Sequence, residues 1–164
     1  MKDNVWIFDC LGKSNQIRTW DFSETVAKVA EALYTMSAVW IRGLETYSKE
    51  LNDYCKQISA ANCHVILSPG GSQVLGLHKD EWDVLVKMLY GHRVYFVEGK
   101  KIELHAGEEL LIKKGHYHQV FCPVDAVTIN YGISEVPTNA EMITRTTVGV
   151  DLFNHHEFFM RWSC

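Results

Sequence analysis

The sequence predicts a mainly β protein, a small barrel or β-sandwich with an α-helical N-terminal flank. Before residue 60, apolar residues recur with the period of a helix. After residue 62, short runs rich in β-branched and aromatic residues alternate with turn signals. Composition is the third observation. A chain of 164 residues that is 47% hydrophobic and 22% charged has the material for a core, is of the usual length for one domain, and does not read as disordered.

The first helix is expected in "DFSETVAKVAEALYTM", where Phe22, Val26, Val29, Ala30 and Leu33 fall on one face. Asp21 followed by Glu24 has the form of a capping box at its start. "SAVWIRG" reads as a short strand ended by Gly43. "LETYSKELNDYCKQISA" sets Leu44, Tyr47, Leu51, Cys55 and Ile58 along one side of a second helix. Seven strands then follow: 63–68, 73–80, 82–90, 92–97, 109–114, 118–122 and 126–133. "SPGGS", "EGKK" and "CPVD" are the turns between them, and "VEGKKIEL" reads as a tight hairpin about Gly99. The tail "VDLFNHHEFFMRW" is weakly helical and has no place in this scheme. The chain thus divides into a helical flank of residues 1–60, a barrel of 61–135 and a C-terminal extension of 136–164, within a single domain.

Sixteen basic and twenty acidic residues give a net charge of −4 with no basic stripe, so nothing electrostatic argues for nucleic acid. The start "MKDNVWIFDCLGK" lacks the apolar core of a signal peptide, and no run is long enough to span a bilayer. Cys10, Cys55, Cys63, Cys122 and Cys164 are odd in number and show no CxxC spacing. They read as reduced thiols of a cytoplasmic protein rather than as a disulfide frame or zinc knot. An exposed sheet edge, or the aromatic tail "FFMRW", could mediate a homodimer.

The chemistry is concentrated in "GLHKDEWDVLVKMLYGHRVYFV", residues 76–97. Residues i and i+2 of a strand share a face, so His78 and Asp80 would project side by side. A carboxylate inside a barrel is costly unless a cation meets it or solvent reaches it. A divalent metal answers both residues at once. Two neighbouring ligands and one distant histidine form the facial two-His-one-carboxylate site of non-haem Fe(II) oxygenases. "GHYHQVFC" offers His118 as the third ligand, with His116 competing. His92, His105, His155 and His156 fit no ligand pattern and are assigned to the surface. Trp82, Tyr90, Tyr95 and Tyr117 could line a substrate mouth, although aromatic residues on strands are usually core.

At these residues the chain resembles the JmjC/cupin-like Fe(II)- and 2-oxoglutarate-dependent oxygenases, in particular the branch that includes ribosomal-protein hydroxylases. The matching segments are Pro69-Gly70-Gly71-Ser72-Gln73, His78-Lys79-Asp80, Asp83-Val84-Leu85, Gly91-His92-Arg93 and Gly115-His116-Tyr117-His118, within about residues 60–133. The resemblance implies a double-stranded β-helix barrel, with Fe(II) held by His78, Asp80 and His118. It implies 2-oxoglutarate as cosubstrate, its far carboxylate gripped by Arg93, with Lys87 as a second choice for that role. It also brings His64, Ser68, Thr128 and Asn130 to the pocket wall. The substrate implied is an amino-acid side chain, free, in a peptide or in a protein, or a related biosynthetic small molecule, oxidised by O2. The chain departs from the family at Ile66, where a tyrosine is usual, at Met88, where a glutamine is usual, and at Lys113, where a proline precedes the turn. The large C-terminal dimerisation and winged-helix regions have no counterpart here, so recognition through them does not transfer. These departures keep open a cupin of another class, namely an isomerase, a lyase, an O2-only dioxygenase or a non-enzymatic binding module.

Overall fold

Ten strands and two α-helices make up the computed structural model, which describes residues 5–8, 14–18, 22–72 and 75–133. The strands are β1 (Val5–Phe8), β2 (Ser14–Gln16), β3 (Ala38–Arg42), β4 (Ala60–Ser68), β5 (Asp83–Tyr90), β6 (His92–Val97), β7 (Lys100–His105), β8 (Glu109–Ile112), β9 (His118–Phe121) and β10 (Ala126–Ile133). Helix α1 spans Phe22–Tyr34 and α2 spans Lys49–Gln57. A seven-stranded sheet runs in the order β2-β1-β3-β4-β10-β5-β8, and a three-stranded sheet in the order β7-β6-β9. All their pairings are antiparallel.

The period of two in the strands sorts the side chains into layers. Trp6 and Phe8, Ala38 and Trp40, Ile66, and Val84, Val86 and Met88 turn to the inner face of the large sheet. There they meet Tyr95, Leu104 and Val120 of the small sheet, so the two sheets close on one apolar interior. The alternate residues face outward and are covered by the helices. Val29, Ala32 and Leu33 of α1 pack on Val5, Val39 and Ile41. Leu51, Tyr54 and Cys55 of α2 pack on Cys63, Leu85, Ile129 and Tyr131. This is the double-stranded β-helix expected from the resemblance, with its helices on the outer face of the large sheet.

Several local expectations are corrected. The segment 44–60 is not one helix. A 3-10 turn at Leu44–Thr46 precedes α2, and Ser48 caps α2 by accepting a hydrogen bond from the Leu51 amide at 3.3 Å. Tyr47 is consequently exposed rather than on the apolar face. In α1, Ala32 rather than Ala30 meets the sheet. Strands β1 and β2, too short for periodicity to mark, extend the large sheet beside β3. Within 73–80 the described residues hold only one isolated bridge, His78 with His118, and no strand. Lys113 and Lys114 lie beyond the end of β8. The hairpin about Gly99 is present. Glu98 and Gly99 both have positive φ (48° and 74°), as a two-residue turn between β6 and β7 requires. Asp21, and hence the capping box, and the tail "VDLFNHHEFFMRW" lie outside the described residues, as do Cys10 and Cys164.

Candidate metal centre and buried cation

His78 and Asp80 reach a common point without a strand to carry them. His78 exchanges both backbone hydrogen bonds with His118, its amide donating at 3.0 Å and its carbonyl accepting at 2.8 Å. The carbonyl of Asp80 accepts from the amide of Gly115 at 3.0 Å. The loop bearing two of the residues is thereby laced to the turn bearing the third. One ligand atom from each of His78, Asp80 and His118 lies within 4.8 Å of the others, a spacing that a single ion can bridge. His118 is buried while the Asp80 side chain is 32% exposed, so the cluster sits at the barrel's rim.

Hydrogen bonding also selects which ring nitrogen is free. His78 Nδ1 lies 2.8 Å from the Gly76 carbonyl, and His118 Nδ1 lies 3.1 Å from the His116 carbonyl. A carbonyl oxygen only accepts, so each Nδ1 carries the proton and each Nε2 lone pair is left for a metal. Burial of His118 lowers its pKa, and the nearby His78 adds to that effect against the opposing hydrogen bond to His116 and the charge of Asp80. A neutral imidazole is the form that binds metal. His116, the competing ligand, is exposed and contributes its carbonyl instead of its ring.

The turn carrying His118 is held from three sides. Gly115 takes φ 78°. Asp83 accepts from Lys113 Nζ at 2.9 Å and from the Lys114 amide at 2.7 Å. Glu98 accepts from the Tyr117 amide at 2.6 Å, and its own amide donates to the Tyr117 carbonyl at 2.9 Å. Lys113, where the family places a proline, is therefore an ion-pair partner that holds the turn by charge. Asp83 entered the sequence reading only within the matching segment Asp83-Val84-Leu85, and Glu98 not as a site residue, because a carboxylate beside a lysine has no signature until the loops come together.

Deeper in the barrel lies Arg93, 1% exposed. It reaches from β6 across to the large sheet and donates to Thr128 Oγ1 at 2.8 Å, Ser68 Oγ at 2.6 Å and the Ile66 carbonyl at 3.3 Å. Among the described residues its Nε has no hydrogen-bond partner and no carboxylate pairs with it. A buried guanidinium without an anion is costly. Ser68 and Thr128, expected at a cosubstrate pocket, here hold the Arg93 guanidinium in the interior. Asn130 lies two residues beyond Thr128 on the same strand face, directly across from His64 on β4, and its Oδ1 is buried without a partner. His64 stacks on Trp40 with ring centroids 5.0 Å apart. Burial, with a smaller push from Arg42, drives its pKa down to about 4.

Lys87 is not in this pocket. It alternates with Val86 and Met88, so it points to the outer face, where it pairs with Glu109 at 2.6 Å beneath the Tyr54 ring of α2. Of the aromatic residues expected at a mouth, Trp82 and Tyr117 lie at the metal end of the barrel and are partly exposed, with Lys79 Nζ 5.5 Å from the Tyr117 ring centroid. Tyr90 is at the opposite end of β5, and Tyr95 is buried in the interior. Ile66 and Met88 are both interior, with only apolar side chains to offer where the family has polar ones. His92 and His105 stack on each other across β6 and β7, away from the cluster, in keeping with their assignment to the surface. Cys55, Cys63 and Cys122 are free thiols, and no helix among the described residues is long and apolar enough to cross a membrane.

No family model matches the chain, and no curated protein matches it by sequence. Solved structures do. The ribosomal oxygenase YcfD of Escherichia coli, in a structure with cobalt and succinic acid, superposes with a TM-score of 0.62 at 14% identity over 84% of this chain and 41% of that one. A second structure of E. coli YcfD gives 0.64 at 12% identity, over 84% and 43%. A predicted oxalate decarboxylase of Thermotoga maritima, at 25% identity, reaches only 0.47 over 59% of this chain. The chain thus spans about two-fifths of the length of the YcfD chains it matches. At these identities the likeness is one of fold: the chain has the double-stranded β-helix barrel shared by cupins and JmjC-like oxygenases.

Proposed function

We propose that this protein is a non-haem Fe(II)- and 2-oxoglutarate-dependent oxygenase that hydroxylates an amino-acid side chain, free or within a peptide or protein, or a related biosynthetic intermediate. One observation carries the reading. A two-His-one-carboxylate cluster stands at the rim of a barrel whose interior holds a guanidinium with no anionic partner among the described residues. The residues fit both groups. Two histidines with free Nε2 lone pairs and one carboxylate suit Fe(II). A buried arginine with an unused N–H suits the far carboxylate of a dicarboxylate. The YcfD structure holding cobalt and succinic acid supports the same pairing of a metal with a dicarboxylate in this fold.

Bound iron would supply O2 activation coupled to decarboxylation of the oxo-acid. The chain's own residues do the rest. His78 and His118 present neutral imidazoles whose direction is set by the carbonyls of Gly76 and His116. Asp80 adds one negative charge at the solvent edge. Arg93, held rigid by Thr128 and Ser68, fixes the cosubstrate's far end and needs little reorganisation on binding. The apolar interior of Ile66, Val84, Val86 and Val120 keeps water from the reacting end.

Anaerobic titration with Fe(II) and 2-oxoglutarate tests this, with a visible charge-transfer band expected from the wild-type chain. His78→Ala should abolish the band and weaken metal binding by 100-fold or more, about 3 kcal/mol or above. Absence of bound metal in the wild type would end the proposal. The apolar Ile66 and Met88 favour one rival, a metal-dependent cupin that does not use 2-oxoglutarate. Tight metal binding with no band and no succinate release would identify that rival.

A further inference from the structure

A second set of ligand-type side chains lies on the outer face of the small sheet, at the end of β6 away from the metal cluster. Arg93 and Tyr95 turn inward from β6, so His92 turns outward. His92 pairs directly with His105 on β7, and their rings stack with centroids 5.2 Å apart. Glu103 precedes His105 by two residues and shares its face of the strand. Its Oε1 accepts from Lys101 Nζ at 2.7 Å, which leaves Oε2 facing His105 Nε2 at 4.0 Å. The hydrogen bond and charge of Lys101 hold the Glu103 carboxyl below its ordinary pKa, and the charges of His105 and His92 add to that effect, so the carboxylate faces both rings. The backbone beneath these residues is fixed. Gly91, just before His92, has φ 72°, and a Cβ there would collide with the Asp125 carbonyl. The Glu108 carboxylate accepts from the His105 amide at 2.9 Å, and the Glu108 amide donates to the His105 carbonyl at 2.9 Å. Only side-chain torsions therefore separate the three groups from a common point.

We propose that His92, Glu103 and His105 bind a second divalent ion, of the class that favours imidazole: Zn(II), Cu(II) or Ni(II). Two imidazoles and a carboxylate suit these ions, whereas Mg(II), Ca(II) and Mn(II) prefer oxygen ligands. Directly opposed residues of an antiparallel pair have Cβ atoms about 5 Å apart, near enough for two imidazoles to close on one ion. Water would complete the coordination from the open side. His92 and Val97 stand at opposite ends of β6, roughly 16 Å apart by the rise of a strand, and it is Val97 that pairs with the ligand residue His118. The two sites also lie on opposite faces of the small sheet, so each fills without the other. The inference does not depend on the oxygenase reading. An ion here ties β6 to β7 at the residue before Arg93 and braces the strand that carries the buried cation.

The test is calorimetric titration with Zn(II), and with Mn(II) as the control ion, of wild type, His105→Ala, His78→Ala and the double variant. Wild type should take up one more equivalent of Zn(II) than His105→Ala. His78→Ala should keep that equivalent and the double variant should lose it. Mn(II) uptake should be the same in wild type and His105→Ala. Glu103→Gln should weaken the same equivalent by about tenfold or more. Zn(II) should also raise the thermal midpoint of His78→Ala, by mass action, and leave that of the double variant where it was. Wild-type Zn(II) stoichiometry in His105→Ala overturns the proposal, and so does an equivalent that fills only at millimolar Zn(II). Unchanged affinity in Glu103→Gln overturns the part given to the carboxylate. If His78→Ala binds no Zn(II) at all, the cluster at the rim is the sole centre and the second site fails. If instead His78→Ala binds as much metal of both kinds as wild type, the oxygenase reading fails and the second site stands.

Discussion

A histidine on the wall of an apolar barrel must be neutral to be tolerated, and His64 shows the consequence. Its imidazole stacks on Trp40, and burial holds its folded-state pKa near 4 against an ordinary 6.5. Between those values the unfolded chain binds the proton and the folded chain does not, so stability falls as pH drops from about 6.5 toward 4. From pH 7.5 to 5 this one residue should cost roughly 2 kcal/mol. His64→Gln should remove that part of the acid sensitivity while the remainder persists. Urea unfolding of both proteins at the two pH values checks it. An identical pH dependence in the variant would mean that His64 is charged or solvated in the folded state. The same residue shows what a sequence can and cannot disclose. Its inward direction follows from the alternation of β4, but its neutrality depends on Trp40 and Arg42, brought to it by β3.

Element by element, long alternation made β5, β6 and β10 legible, while β7 was read only as the return arm of the hairpin about Gly99. Short β1 and β2 gave too few residues for a period, and Ser48 ended the apolar stripe of 44–60 by capping α2 instead of continuing it. The metal cluster was legible for a reason that proved incomplete. His78 and Asp80 converge through a loop bridged to His118, not through the period of a strand. Lys87 was misplaced for the reverse reason: its own strand period, read against Val86 and Met88, sends it outward to Glu109. The turn after β8 makes a separate prediction. Asp83, 8% exposed, holds both Lys113 and the Lys114 amide, and with them the approach to His118. Asp83→Ala should cost about 2–3 kcal/mol of stability, through a lost ion pair and an unmatched amide. It should also weaken Mn(II) or Co(II) binding by about 10–100-fold, since the turn then no longer fixes the imidazole. Asp83→Asn keeps an oxygen for the Lys114 amide and should fall between. Metal titration with circular dichroism separates the two effects. Unchanged metal affinity in a folded Asp83→Ala protein would show that the Tyr117–Glu98 contacts hold the turn unaided.

For the whole molecule, Arg93 is the part that ties the two sheets together, since its bonds to Ser68, Ile66 and Thr128 cross the barrel from β6 to β4 and β10. It does so while carrying a charge that the described interior does not neutralise. Ligand-free, the barrel therefore holds an electrostatic cost at its centre, and an anion bound there should relieve it. Binding to the folded state alone raises stability by mass action, about 2.7 kcal/mol at a ligand concentration 100 times the dissociation constant. For a chain of 164 residues that corresponds to a rise of about 5–10 °C in the unfolding midpoint. With Mn(II) present throughout, 2-oxoglutarate should produce that rise in the wild type and none in Arg93→Gln, whereas Mn(II) alone should raise both proteins equally. A scanning calorimeter reads all four conditions. An equal response of the two proteins to 2-oxoglutarate would place the dicarboxylate elsewhere and leave the buried guanidinium a structural tie between sheets. Loss of the Mn(II) response in Arg93→Gln would instead show that the cross-barrel bonds position the metal cluster itself, coupling rim and interior through the strands they join.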